Sequence, residues 1–80
     1  MDISEINKKL NGIFIDVLDN PDIVLKDETT AKDIEEWDSL THVQLIVAIE
    51  KSFKIRFTAP EIQQFKNVGD ICQRIQSKLV

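Results

Sequence analysis

The sequence predicts an all-α fold, a four-helix bundle with three longer helices, one short helix and a long connection between the first two. Apolar residues recur at three- and four-residue spacing in separate segments, which is the pattern of amphipathic helices. Capping and helix-breaking residues stand between those segments. The chain has 80 residues with only two glycines and two prolines, and it shows no linker-like or repeated tract. We therefore expect one domain spanning residues 1–80.

The first helix is predicted over residues 3–18, where the apolar side chains fall on one helical face. These side chains are Ile3, Ile6, Leu10, Ile13, Phe14 and Val17. Asp2 and Glu5 have the spacing of a capping box, and Pro21 prevents the helix from continuing. A long polar connection, residues 19–37, follows it. We expect three apolar residues to anchor the connection to the bundle, namely Leu25, Ile34 and Trp37.

The second helix is predicted over residues 38–53, with Asp38 as the capping residue. It carries two apolar stripes, and a helix on the surface of a small bundle fully buries only one of them. The stripe assigned to the core is Leu45, Ile46, Ile49 and Phe53. The other stripe is Leu40, Val43 and Val47. An exposed apolar row of this kind indicates a binding surface for a partner.

A short helix is predicted over about residues 60–65, because Thr58 and Glu61 have the spacing of a capping box. The last helix is predicted over residues 68–79, with Asn67 as its cap. Three helices must pack together to bury their apolar faces. The predicted core is Ile6, Leu10, Phe14, Leu45, Ile46, Ile49, Phe53, Ile71 and Ile75.

Composition excludes several classes of function. The net charge of -4 and the pI of about 4.8 argue against a nucleic-acid binder, which needs clustered cations. The charge is uneven, since residues 1–50 hold 12 acidic and 4 basic side chains while residues 51–80 hold 2 and 6. No apolar run is long enough to span a bilayer, and no secretory signal is visible, so we expect a cytoplasmic protein. The single cysteine, Cys72, fits a reducing compartment and is expected to pack in the core.

Catalysis and metal binding are not expected of so short a chain. An 80-residue domain buries too little apolar surface to build a walled active site. The acidic stretch 16–27 fails as a calcium loop, because Pro21 stands where that loop needs glycine, and no metal site is predicted. A serine hydrolase would use Asp38, Ser39 and His42, but adjacent side chains diverge and nothing supplies an oxyanion hole.

The tripeptide Asp38-Ser39-Leu40 resembles the Asp-Ser-Leu motif of acyl carrier proteins, and the similarity extends along the whole chain. Residues 36–42 resemble a stretch found in many stand-alone bacterial carriers. Residues 43–53 resemble the second helix of that family, and 67–71 the start of its last helix. In that family the serine hydroxyl receives 4′-phosphopantetheine from coenzyme A. The resemblance therefore implies Ser39 as the attachment residue, flanked by Asp38 and Leu40.

The resemblance implies a carrier and not an enzyme. Such a carrier would hold acyl or aminoacyl groups as thioesters and present them to separate enzymes. The implied partners are a phosphopantetheinyl transferase, a loading enzyme and an acceptor enzyme, and the chain would act as a monomer. The apolar row described above would form the partner face together with flanking carboxylates. Those flanking residues are Glu35, Glu36 and Asp38.

Two departures from the family pattern bear on the pathway. Housekeeping fatty-acid carriers have an acidic second helix, whereas this helix carries Thr41, His42 and Gln44. Trp37 stands where those carriers have a small residue. Both favour a specialised route, such as a polyketide-like, aminoacyl, lipid or surface-polymer pathway. The alternatives are a housekeeping fatty-acid carrier and a helical interaction module without a cofactor.

Overall fold

The computed structural model describes residues 2–79, which form four α-helices. The helices are α1 (Ile3–Leu18), α2 (Ser39–Phe53), α3 (Ala59–Gln64) and α4 (Val68–Leu79). Residues 2–79 contain no strand, which confirms the predicted all-α class with three longer helices and one short one. Helix α3 begins and ends one residue before its predicted range, because Thr58 is the cap and Ala59 the first helical residue.

Local capping chemistry sets both ends of α1. The Glu5 amide donates to the Asp2 carboxylate at 2.8 Å, which satisfies one of the unpaired N–H groups at the helix start. The helix ends at Leu18, and Asp19 takes a left-handed backbone conformation with φ of 53°. The amide of Asp19 donates to the carbonyl of Ile15, so the last turn is closed before the chain leaves the helix.

The core lies between α1 and the two helices packed against it, α2 and α4. The side chains predicted to form the core are all buried in one hydrophobic cluster. They are Ile6, Leu10, Phe14, Leu45, Ile46, Ile49, Phe53, Ile71 and Ile75. Cys72 is also fully buried there, as predicted. Helical periodicity therefore identified the buried face of each long helix.

Hydrogen bonds to one α1 side chain hold the long connection against the bundle. The Leu25 amide donates to Asn11 Oδ1 at 2.7 Å, and Asn11 Nδ2 donates to the Ile23 carbonyl at 3.1 Å. The three predicted apolar anchors of the connection are buried, and Ile23 and Thr29 are buried with them. The connection is therefore attached to α1 by polar as well as apolar contacts.

The connection also contacts the start of α4. The amides of Val68 and Gly69 donate to the carbonyls of Thr29 and Asp27, both at 2.9 Å. A Cβ atom at Gly69 would lie 3.1 Å from that Asp27 carbonyl oxygen. Glycine thus permits the close approach of the two backbones, which ties the middle of the connection to the start of α4.

Candidate functional site

The candidate site is the start of α2, where the connection ends and the helix begins. Asp38 is the N-cap, and its carboxylate accepts hydrogen bonds from the amides of Leu40 and Thr41 at 3.0 and 2.9 Å. The Asp38 amide donates to Thr41 Oγ1 at 2.8 Å, and the Thr41 hydroxyl reaches the Glu36 carbonyl at 2.8 Å. This capping box fixes the backbone on both sides of Ser39.

Ser39 is the first residue of α2 and is exposed. Among the hydrogen bonds of the described residues, none involves its hydroxyl. The neighbouring polar side chains of Asp38 and Thr41 are both engaged in the capping box. The structure therefore presents one free hydroxyl at the positively polarised end of a fifteen-residue helix.

The same hydrogen bonds affect the charge of the cap. The amide of Thr41 is the largest cause that holds the pKa of Asp38 below its ordinary value, and the Thr41 hydroxyl and the Leu40 amide act in the same direction. Asp38 therefore keeps its negative charge beside Ser39 well into the acidic range.

Trp37 and His42 lie on either side of the candidate serine in the chain. The Trp37 indole packs edge-on against Phe14, with ring centroids 5.0 Å apart, and is only 6% exposed. Its N–H donates to His42 Nδ1 at 3.1 Å, and the two rings lie side by side and nearly coplanar, with centroids 6.0 Å apart and an interplanar angle of 20°. Trp37 is the anchor that was predicted and His42 is partly packed, but the bond between them was not predicted.

A catalytic triad does not form at this site. Nδ1 of His42 accepts from the Trp37 indole, and the Asp38 carboxylate accepts from backbone amides. Neither group pairs with the hydroxyl of Ser39 in the described part of the chain. Without a base in contact, a serine hydroxyl is a weak nucleophile.

The second apolar stripe of α2 faces solvent, as predicted. Leu40, Val43 and Val47 are 71%, 58% and 42% exposed. Glu35, Glu36 and Asp38, which were predicted to flank this row, are exposed on the segment that leads into α2. Every residue predicted for the partner face is therefore accessible. Glu36 is also held in place, since Asn20 Nδ2 donates to its carboxylate at 3.2 Å.

Two exposed features near this face were not predicted. Val24, on the connection, is 74% exposed although its apolar neighbours are buried. At the other end of the row, a groove beside Val47 is lined by three cations, Lys51, Lys54 and Arg56, and by one carboxylate, Glu50. The face thus changes from acidic near Ser39 to basic near the end of α2. The sequence already indicated this change, because acidic residues become rare after position 50 while basic residues remain frequent.

Other candidate chemistries find no support in the described residues. Burial raises the pKa of the Cys72 thiol to about 11, so its thiolate is scarce at neutral pH. Residues 2–79 contain no cluster of three histidine, cysteine or acidic side chains placed to hold a metal ion. None of their helices combines the length and the apolar character that a membrane crossing requires.

Comparison with known proteins assigns the class of this domain. A family model described as "Phosphopantetheine attachment site" matches residues 8–75. An acyl carrier protein of Thermosynechococcus vestitus is 34% identical over 80 residues, which cover 99% of this chain and 98% of that protein. An acyl carrier protein of Phytoplasma mali is 40% identical over 52 residues, which cover 65% of this chain and 62% of that protein.

A solved structure supports the same assignment. The solution structure of the holo acyl carrier protein from Geobacter metallireducens matches with a TM-score of 0.86 and 47% identity. The match covers 90% of this chain and 83% of that one. The chain belongs to the acyl carrier protein family.

Family membership decides among the classes left open by the sequence. Acyl carrier proteins are carriers and not enzymes, and they bear a 4′-phosphopantetheine group. They interact with phosphopantetheinyl transferases and with acyl-handling enzymes. The serine hydrolase and the helical module without a cofactor are therefore the wrong classes for this chain.

Proposed function

We propose that Ser39 is the residue that carries 4′-phosphopantetheine, in a carrier dedicated to a specialised biosynthetic pathway. The observation that supports this choice is the exposed, uncommitted hydroxyl at the first residue of α2, between side chains that the capping box holds. A phosphate esterified there would lie at a helix N-terminus, where the helix dipole favours an anion. The residues present therefore fit the group.

Attachment requires little chemistry from the chain itself. Ser39 Oγ forms a bond to the pantetheine-side phosphorus of coenzyme A, the P–O bond to the second phosphate breaks, and adenosine 3′,5′-bisphosphate leaves. The proton of the hydroxyl goes to a base of the transferase, because Asp38 and His42 are engaged elsewhere. The attached group supplies a thiol that holds an acyl or aminoacyl group as a thioester. Ser39 presents this arm from an exposed helix end, where other enzymes can reach it.

The partner face that we propose consists of the exposed row Leu40, Val43 and Val47 and the acidic residues beside it. The apolar row supplies contact area, and the carboxylates of Glu35, Glu36 and Asp38 steer basic partners toward the serine. The partners are the transferase, a loading enzyme and an acceptor enzyme. The chain acts as a monomeric single domain, so the apolar row stays accessible to these partners. Because its modification needs coenzyme A, we place the protein in the cytoplasm.

The scarcity of free carboxylates on α2 favours a specialised pathway. Glu50 is the only acidic residue of α2, and its carboxylate accepts from the amide of Phe57 at 2.9 Å. Lys51 and Gln44 are exposed on the same helix. A housekeeping fatty-acid carrier is the second candidate. Loading of the holo protein by an adenylating enzyme would favour the specialised role, and loading by a malonyl transferase of fatty-acid synthesis would favour the second.

The attachment residue is tested by intact mass after incubation with a phosphopantetheinyl transferase and coenzyme A. We expect wild type to gain one phosphopantetheine and Ser39→Ala to gain none. Ser77→Ala, an exposed serine on α4, is the matched control and should be modified like wild type. A full mass gain in Ser39→Ala contradicts the proposal.

A further inference from the structure

A hydrogen bond between the side chains of Trp37 and His42 closes a short loop, residues 37–42, which contains Ser39. The indole N–H donates to His42 Nδ1 at 3.1 Å, and the two rings are nearly coplanar, with an interplanar angle of 20°. The backbone closes the same segment, since the His42 amide donates to the Asp38 carbonyl at 2.8 Å. Ser39 lies inside the loop that these two bonds define.

This side-chain bond depends on the protonation state of the imidazole. An indole N–H only donates, so Nδ1 of His42 must be unprotonated to accept from it. The neutral ring then carries its proton on Nε2. In the imidazolium both nitrogens are donors, and the bond to Trp37 is lost. Histidine side chains exchange this proton between about pH 5 and pH 8.

Among the described residues, the side chains of Trp37 and His42 form no hydrogen bond or ion pair other than the bond to each other. Helix α1 meets it through the apolar ring of Phe14. The charged groups next to it in the chain are the carboxylates of Glu36 and Asp38. Glu36 accepts from Asn20, and Asp38 accepts from the amides at the start of α2. Neither carboxylate forms an ion pair with His42 in the described part of the chain.

We propose that Trp37 and His42 are positioning residues for Ser39, and that protonation of His42 removes one of the contacts that hold the segment carrying the serine, while the capping box remains. Trp37 is the last buried residue of the connection, so it is the fixed point from which Asp38 and Ser39 extend. The bond to His42 sets the angle between that fixed point and the first turn of α2. The effect on modification rests on the proposed role of Ser39, whereas the bond itself does not.

The bond is tested first in the unmodified protein. The chain has one tryptophan, one histidine and no tyrosine, so the indole emission comes from Trp37 alone and His42 is the only imidazole. We expect the emission of wild type to differ between pH 8 and pH 5, because protonation of the imidazole removes the hydrogen bond of the indole N–H and places a positive charge near the ring. His42→Gln is the control, since its amide oxygen can accept from the indole but does not titrate. A flat wild-type titration, or an equal transition in His42→Gln, overturns the proposal.

The positioning role is tested by kcat/KM of a phosphopantetheinyl transferase with each variant. The ratio of wild type to His42→Gln removes the pH dependence of the transferase itself. We expect this ratio to be near one at pH 8 and to fall about fivefold at pH 5.5, the size expected for one lost hydrogen bond. Trp37→Phe keeps an aromatic ring against Phe14 but removes the donor, and it should be slowed at both pH values. A ratio that does not change with pH overturns the positioning role.

The two measurements separate this proposal from the proposed function. If Ser39 is not the attachment residue, Ser39→Ala is still modified, while the fluorescence transition persists. If the fluorescence is flat and wild type is modified normally at both pH values, the positioning proposal fails and the function of Ser39 stands. Circular dichroism establishes that His42→Gln and Trp37→Phe are folded. His42→Gln serves the fluorescence and pH measurements, and Trp37→Phe tests the loss of the donor.

Discussion

Ser39 differs from its immediate neighbours in what its side chain contacts. Asp38 and Thr41 cap the helix, and the side chains of Trp37 and His42 bond to each other. Ser39 is exposed, and its hydroxyl forms no hydrogen bond with the described residues. A residue with no structural task can be modified without loss of stability. The side chains around it hold the position from which the modified residue would be presented.

The cap residue supplies a prediction about pH. The pKa of Asp38 is lowered in the folded protein, so its contribution to stability is complete above its unfolded pKa and is lost as the pH falls through the folded value. We expect Asp38→Ala to lower Tm at pH 7 relative to wild type. The difference should shrink below about pH 4, as the wild-type carboxylate becomes protonated. A Tm difference that stays constant down to pH 2 would show that the charge of the cap does not matter.

At the scale of the helices, short-range interactions made the helix starts and the buried faces predictable from the sequence. Capping residues lie within three positions of the amides that they bind, so Asp2, Asp38, Thr58 and Asn67 marked helix starts correctly. Apolar spacing likewise identified the buried faces. The contacts of Asn11 were not predictable, because they depend on how a non-helical segment folds across α1. The Trp37–His42 bond escaped prediction for the same reason.

The contacts of Asn11 predict that a single polar side chain stabilises the connection. Asn11→Ala removes two hydrogen bonds and leaves the Leu25 amide and the Ile23 carbonyl without these partners. We expect the free energy of unfolding to fall by about 2 kcal/mol. Lys8→Ala, at an exposed position on the same helix, should change it by less than about 0.5 kcal/mol. Chemical denaturation monitored by circular dichroism measures both, and equal effects would contradict the anchoring role.

The two stripes of α2 predict opposite consequences of substitution. Phe53 is buried, so Phe53→Ala should lower the free energy of unfolding by about 3–5 kcal/mol. Val47 is 42% exposed, so Val47→Asp should leave the fold intact and impair binding to the transferase. Denaturation and kcat/KM of modification measure the two effects. If Val47→Asp unfolds the domain, that stripe belongs to the core and the proposed partner face is wrong.

At the scale of the whole molecule, charge is segregated along the chain. Carboxylates cluster before Ser39, whereas exposed cations border the far end of α2. We therefore expect this arrangement to orient a partner with basic residues toward the serine before contact is made. The overall composition indicated an acidic domain, but only the fold shows which surface each charge occupies.

Charge reversal at Glu36 tests this steering. We expect Glu36→Lys to slow association with the transferase and to weaken its dependence on salt, because long-range attraction mainly affects the association rate. Glu28→Lys is the matched control, since it changes the net charge equally but borders Asn67 and Gly69 at the start of α4. Stopped-flow association at low and physiological salt measures both variants. Equal slowing by the two would mean that net charge alone is responsible.

The central claim is that Ser39 carries the phosphopantetheine group, and site mapping by fragmentation mass spectrometry tests it most directly. Trypsin cleaves after Lys32 and Lys51, so the peptide 33–51 holds Ser39 and Thr41 as its only hydroxyl side chains. After incubation with a transferase and coenzyme A, we predict the added group on Ser39 of this peptide. A group located on Thr41, or on any other peptide, would contradict the account.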